Sequence, residues 1–249
     1  MVRGKKGKRK SKAAKPAPRK LQARWADAPT RLRRWALRFV IGAIALTCIM
    51  VLAYRAVNPP FTLYMLKEHW RIGGIERRWT PIEDVSPVAV RSIVAAEDAN
   101  FCGHWGFDIN AIHAAIRDGS NRGASTITQQ VVKNVYLWNG RSWSRKSLEA
   151  LITPLVELFW TKRRIVEVYL NVAEFDEGVF GIEAAARSYF RVPSSKLNPF
   201  QAAHLAAVLP DPKGRSASEP SDLVRKRAES VVDGAATIDV DGRAACFQD

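Results

Sequence analysis

The stretch that decides the architecture is Ala36–Tyr54, ALRFVIGAIALTCIMVLAY, whose 19 residues carry one charge, Arg38, near their start. At 1.5 Å rise per residue such a helix is about 28 Å long, close to the hydrocarbon thickness of a bilayer. Arg31, Arg33, Arg34 and Arg38 lie before or at its start, and after Arg55 the next basic residue is Lys67. The positive-inside rule then predicts a cytoplasmic tail over residues 1–35, a single-pass anchor over 36–54, and export of everything after residue 55. A buried core helix seldom carries so basic a flank. A cleaved signal peptide would need a shorter apolar run followed by a small-residue cleavage site, and none directly follows. The reading is an uncleaved anchor.

The charge distribution agrees. Lys and Arg total 39 against 24 Asp and Glu. Residues 1–38 hold 15 basic residues and one acid, Asp27, whereas the other 211 residues hold 24 basic and 23 acidic ones. The excess therefore belongs to a tail that has no apolar periodicity and cannot bury enough surface to order itself. A nucleic-acid arm is the first thing such a run suggests, but beside a membrane span it reads as a topology signal with attraction to anionic lipid. No nucleic-acid partner is expected. The three cysteines, Cys48, Cys102 and Cys246, show no CxxC spacing; they suggest neither a zinc site nor a disulfide framework, and leave open whether Cys102 and Cys246 pair.

Beyond the anchor, Asn58-Pro59-Pro60 stops the helix, and the apolar stretch FTLYMLKEHW (61–70) becomes a candidate for dipping into the bilayer. The rest reads as helices. Pro87–Asp98 has apolar residues at Val88, Val90, Ile93 and Val94 behind a first-turn proline. Asn110–Arg117 is a short helix. Thr126-Ile127-Thr128-Gln129 matches a capping box, predicting a helix from there to about Leu137. A long helix over Trp143–Trp160 is kinked near Pro154, another follows Thr161 to about Asn171, and Gly181–Phe190 and Pro199–Leu209 complete the set. No useful β alternation or repeat is present. The fold class is mainly α, in one domain.

Three clusters could carry chemistry. Glu97 and Asp98 end an apolar helix at the negative pole of its dipole, a placement that costs stability and is commonest at functional sites; a solvated helix end reads the same way. Ser125, Thr126 and free N–H groups at a helix N-terminus suit anionic groups such as phosphates, with Gln129 and Lys133 one turn apart on one face; a plain capped helix has the same pattern. Arg141, Arg145 and Lys146 beside Glu149 form either a basic patch for a diphosphate or a surface Arg145–Glu149 pair worth roughly 0.3–0.5 kcal/mol. Spacing does not choose.

Taken together, EDANFCGHWGFD (97–108), GASTITQQVVKNVYL (123–137), RKSLEALITPLVELFWTKRRIVEVYLN (145–171) and AAHLAAVLPDP (202–212) resemble the successive motifs of the peptidoglycan glycosyltransferase family, in the family's order. The resemblance covers roughly residues 60–235 and implies a lysozyme-like glycosyltransferase domain there, with 236–249 a C-terminal tail of unknown role. It also implies a periplasmic domain on the outer face of the cell inner membrane. The substrate would be lipid II, polymerised into β-1,4 glycan strands with release of undecaprenyl diphosphate. On the family's motifs Glu97 is the base and Glu149 the second carboxylate near the leaving group. Asp98, Phe101, His104, Ser125, Thr126, Gln129, Gln130, Lys133, Arg141, Arg145 and Lys146 are expected to bind substrate. A divalent cation, Mg or Mn, on the diphosphate is expected by analogy, although no ligand cluster announces it, and division or elongation machinery is an expected partner.

Glu97 must be ionised to act as base, unlike the acid of a glycosidase. Glu167 reads as structural, His104 as a hydrogen-bonding residue, Arg163 and Arg164 as solvated charges, and Trp143, Phe159 and Trp160 as core or interface aromatics. No Ser-x-x-Lys occurs and the chain ends too soon for a transpeptidase domain, so a monofunctional enzyme is expected. The loop DGSNR (118–122) carries only Arg122 as a cation, Ala124 replaces a usual glycine, and the stretch from about Val232 is unfamiliar. A glycan-cleaving lytic enzyme with a similar fold would need no diphosphate site, so the Lys133, Arg141 and Arg145 set argues against it. Intact Glu97 and Glu149 argue against a non-enzymatic scaffold.

Overall fold

A computed structural model describes residues 28–117, 125–140 and 142–248. The apolar stretch is one helix, α1 (Ala28–Tyr54), and from Thr30 to Tyr54 it is long and apolar enough to span a bilayer. The described chain divides into two compact units, one ending at Thr47 and the other beginning at Cys48. Within that second unit the end of α1 is held firmly. The Trp160 indole donates to the Val51 carbonyl at 2.7 Å, and Arg164 donates to the Tyr54 and Val57 carbonyls at 3.1 and 3.0 Å. Arg77 bonds to the Pro59 and Pro60 carbonyls. Trp160 and Arg164 thereby satisfy carbonyls in the last turn of the helix, where the backbone has no partners of its own, and Arg77 ties down the prolines that follow. Arg164 is thus a partly buried fastener, also paired with Glu167 at 2.7 Å, and not the solvated charge its sequence context suggests.

The helices follow their capping signals. α2 (Leu63–Ile72) starts at Thr62 and ends on Gly73 at φ +79°; α3 (Pro87–Glu97) has proline at its first position; α4 is Ile109–Arg117. α5 (Ile127–Tyr136) carries the full Thr126–Gln129 capping box. α6 (Trp143–Phe159) starts at Ser142 and contains Pro154, α7 (Lys162–Val172) starts at Thr161, and α8 is Ile182–Phe190. α9 (Pro199–Val208) has an Asn198–Gln201 box, and α10 (Asp222–Val240) starts at Ser221. Pro154 cannot donate to the Ala150 carbonyl, but both residues face outward, so water replaces the lost bond.

Helices α3, α9 and α10 form one packed group, and α5, α6 and α7 another. In α9 the fully buried Ala202, Ala203, Ala206 and Ala207 let its neighbours approach closely, while Leu205 fills the centre. A small sheet, absent from the sequence reading, runs β1 (Glu76–Arg77), β3 (Val179–Phe180), β2 (Glu174–Asp176), parallel then antiparallel with a bulge in β2. Strands of two or three residues leave no alternation to read.

The C-terminal end also departs from expectation. α10 runs unbroken through residue 235, and Ile238, Ala244 and Phe247 are buried. A last short helix, α11 (Ala245–Gln248), presents Cys246 to Cys102 in a disulfide. The segment 236–249 is therefore, as far as Gln248, part of the packed domain, because its apolar residues share the core.

The turn after α3 is locked by Gly106, at φ +82°. A Cβ there would meet Thr153 Cγ2 at 2.5 Å and Glu157 Cγ at 3.1 Å. Gly106→Ala should combine left-handed strain with overpacking, about 2–4 kcal/mol, and lower the thermal midpoint by about 5–10 °C in detergent.

Candidate active site

The turn between α3 and α4 is built around Asp98. One carboxylate oxygen accepts from the Ile127 amide at the start of α5 at 3.0 Å, and the other pairs with His104 Nε2 at 2.8 Å. A carboxylate at a helix N-terminus is favoured by the free amides and the dipole there. This bond places the end of α3 against the start of α5, and so Glu97 beside Gln130. Gln130 Nε2 donates to Glu97 Oε2 at 2.7 Å, while its own carbonyl oxygen accepts from the buried Tyr169 hydroxyl at 3.3 Å. Gln130 is thereby fixed from both ends, with its donor side turned to Glu97.

The Glu97 side chain is only 12% exposed. Burial raises its pKa, opposed by the Gln130 hydrogen bond and by the charges of Arg227 and Lys133. Arg227, on α10, lies 3.8 Å from Glu97 and also donates to the Ala96 carbonyl at 3.3 Å. The Lys133 ammonium is pulled both ways: burial lowers its pKa, and Glu149 and Glu97 raise it. It stands within the field of both carboxylates.

Glu149 is buried and doubly held. Arg145 donates to one oxygen at 2.7 Å and Lys146 to the other. Lys146 also reaches Ser125 Oγ at 3.3 Å, and Arg145 bonds the Gly140 carbonyl at 2.7 Å. With Glu149 3% and Arg145 11% exposed, this is no surface pair; helical spacing could not report the burial. Arg141, the loop 118–122 and Ala124 lie outside the described residues.

Gln130, Lys133, Asn139, Tyr64, Glu174 and Lys213 are among the residues lining a cleft of about 300 Å³. The structure divides the expected binding residues in two. Gln130, Lys133, Ser125, Arg145 and Lys146 gather around the two carboxylates. Phe101, Thr126 and Gln129 instead turn inward. Phe101 lies under the Lys162 ammonium at 4.2 Å, Thr126 Oγ1 donates to the Gly106 carbonyl at 2.7 Å, and Gln129 completes the helix cap. Asp98 pairs with His104 through Nε2, while the buried Nδ1 of His104 has no hydrogen-bond partner. Asp98, Phe101, Thr126 and Gln129 are buried and His104 is half-buried, and together they frame the site.

Arg227 and Tyr169 were missed. Tyr169 lies inside a quoted motif but gives no local sign of facing Gln130, and Arg227 sits in an ordinary polar helix. Among the described residues, one group has metal-ligand geometry, Asp98, His104 and Asp108. Its oxygens are already used by Ile127, His104, Ala111 and Asn100, and Glu149's are used by Arg145 and Lys146. These hydrogen bonds commit the group to the turn's own structure.

A carboxylate that could take a proton, with cations grouped around a second carboxylate nearby, is the donor set that transfer from an anionic leaving group would need. Sequence comparison narrows the class. The transglycosylase family profile matches residues 67–236. Biosynthetic peptidoglycan transglycosylases are similar over most of the chain. The one from Jannaschia sp. is 58% identical over 216 residues, covering 87% of this chain and 90% of the relative. That of Pseudomonas entomophila is 53% identical over 208 residues (80% and 86%), and that of Yersinia pseudotuberculosis 44% over 215 residues (82% and 89%). The chain belongs to the transglycosylase family.

If Glu97 serves as a base it must be ionised, and the rate should then rise with pH through its pKa, which burial raises. Gln130 favours the ionised form, so Gln130→Met should move the acid limb of kcat/KM to higher pH. An unmoved limb in the pH–rate profile would show that Gln130 does not tune Glu97.

Proposed function

We propose that this peptidoglycan glycosyltransferase polymerises lipid II, the family's general reaction, with Glu97 as base. The Glu97 carboxylate takes the proton of the acceptor GlcNAc 4-hydroxyl as that oxygen attacks C1 of the donor MurNAc. The C1–oxygen bond to the diphosphate breaks, the configuration inverts to β, and undecaprenyl diphosphate departs. The observation that carries this reading is the Glu97–Gln130 bond inside a buried, cation-flanked site. Burial brings the carboxyl toward working pH, where a general base is most effective, while Lys133 and Arg227 keep the ionised form accessible.

Lys133, Arg145, Lys146 and, by family resemblance, Arg141 would stabilise the charge that grows on the leaving diphosphate. Such groups cost no reorganisation when fixed beforehand, and Glu149 supplies the fixing by holding Arg145 and Lys146.

The domain would face the periplasm from the cell inner membrane, with the basic tail in the cytoplasm. The basic flank of α1 and the Cys102–Cys246 disulfide support that orientation, since disulfides persist in oxidising compartments. A substrate with a polyprenyl tail never leaves the bilayer, so the anchor keeps the site where its sugars stand. Phe61, Leu63, Leu66 and Trp70 are exposed together on and beside α2 and suit contact with the same membrane.

Glu97→Gln should reduce glycan-strand formation from purified lipid II by about 10²–10⁴-fold. Its thermal midpoint at neutral pH should be equal or higher, since an ionised carboxylate is no longer buried. Substantial polymerisation by the folded variant would overturn Glu97 as base. Lys133→Ala should cost about 10²–10³-fold in kcat, read in the same assay.

A further inference from the structure

The disulfide ties two distant parts of the chain at a sensitive place. Its cysteines are 144 residues apart in sequence, with Cα atoms 5.7 Å apart. Cys102 lies in the turn 98–108 that begins at the residue after Glu97 and holds Asp98 and His104. Cys246 lies on α11, a helix of four residues. So short a helix does not sustain itself; it depends on what it is attached to.

The contacts around the bridge converge on the same turn. Phe247 is fully buried, with its ring 6.5 Å from that of Phe101, and its carbonyl accepts from Arg163 at 3.4 Å. Arg243 donates to the Ala99 carbonyl at 3.3 Å. Upstream on the same arm, α10 carries Arg227 against Glu97 and the Ala96 carbonyl. The C-terminal arm thus touches the base's turn from Ala96 to Cys102, and the disulfide is its one covalent tie among the described residues. Both cysteines are partly exposed at the edge of the core.

We propose that the Cys102–Cys246 disulfide is a redox latch on the active-site turn. Oxidised, it holds the C-terminal arm, with Arg227, in register with Glu97. A dithiol reductant that gives up two electrons and two protons converts the bridge to two thiols and itself becomes a disulfide. The arm then loosens, the Asp98–Ile127 alignment slackens, and glycosyl transfer slows. The reverse exchange with an oxidised dithiol restores the rate. This makes the enzyme responsive to thiol chemistry in its compartment, and it rests on the glycosyltransferase reading only for its activity readout.

The test uses the full chain carrying Cys48→Ala, in detergent, so that only the bridging pair can titrate. Dithiothreitol-reduced and oxidised samples are compared, with thiols counted by alkylation and mass. Reduction should lower kcat for lipid II polymerisation about tenfold or more, reversed by oxidised dithiothreitol. Adding Cys102→Ser and Cys246→Ser should reproduce the reduced rate and abolish sensitivity to dithiothreitol. The thermal midpoint should fall by about 5–10 °C. Full activity in the reduced enzyme, even with a lower midpoint, would make the bridge a simple staple and overturn the latch. Should the oxidised enzyme not polymerise lipid II, the functional reading fails by itself. Hydrogen exchange then decides the latch: amides 99–104 and 127–130 should exchange faster on reduction, and unchanged exchange there would overturn it.

Discussion

The site depends on how one buried carboxylate is spent. Asp98 gives one oxygen to the first amide of α5 and the other to His104. Without the first bond, the end of α3 and the start of α5 would carry an unsatisfied acid and an unsatisfied amide into the core, each costing roughly 1–3 kcal/mol. With it, two helices from different parts of the chain meet in a single register. Gln130 lands on Glu97, and Lys133, one turn further along, lies within the field of both Glu97 and Glu149. The frame residues Phe101, Thr126 and Gln129 matter for the same reason, since they hold the turn that holds Asp98.

Burial then sets the electrostatics. An acid moved out of water resists ionisation, and the structure opposes that tendency with one hydrogen bond and two nearby cations. The balance differs from a close, hydrogen-bonded ion pair, which would favour the ionised carboxyl more strongly and leave it a weaker base. Arg227 at 3.8 Å is near enough to bias Glu97 without donating to it. Glu149 is treated differently: both of its oxygens are occupied, so it orders Arg145 and Lys146. Two glutamates fifty-two positions apart thus acquire separate duties from their surroundings.

Much of this was legible beforehand, for reasons that can be named. The anchor and the starts of α5 and α7 carry local signals: an unbroken apolar run, a capping box and an N-cap threonine. Glu97 and Asp98 stood out because acids at a helix C-terminus oppose the dipole. What stayed hidden depends on the path of the chain. The Arg145–Glu149 spacing is the same on an exposed face and a buried one. Arg164 reads as solvated until the carbonyls of Tyr54 and Val57 are brought to it. Arg227 and Cys246 have no pattern at all around them, since their partners lie more than 100 residues away.

Two of these, Arg227 and Cys246, share a location with two further residues. Arg227, Arg243, Cys246 and Phe247 all belong to the C-terminal arm, and each touches the segment 96–102 or its ring at Phe101. The turn 98–108 buries Phe101, and the C-terminal arm adds to its rigidity in three ways: a charge beside Glu97, an aromatic ring beside Phe101 and a covalent bond at Cys102. The first two act through packing and weaken together if the arm shifts, whereas the third keeps the arm from shifting. On this view the disulfide acts on the geometry at Glu97 as well as on the stability of the folded chain.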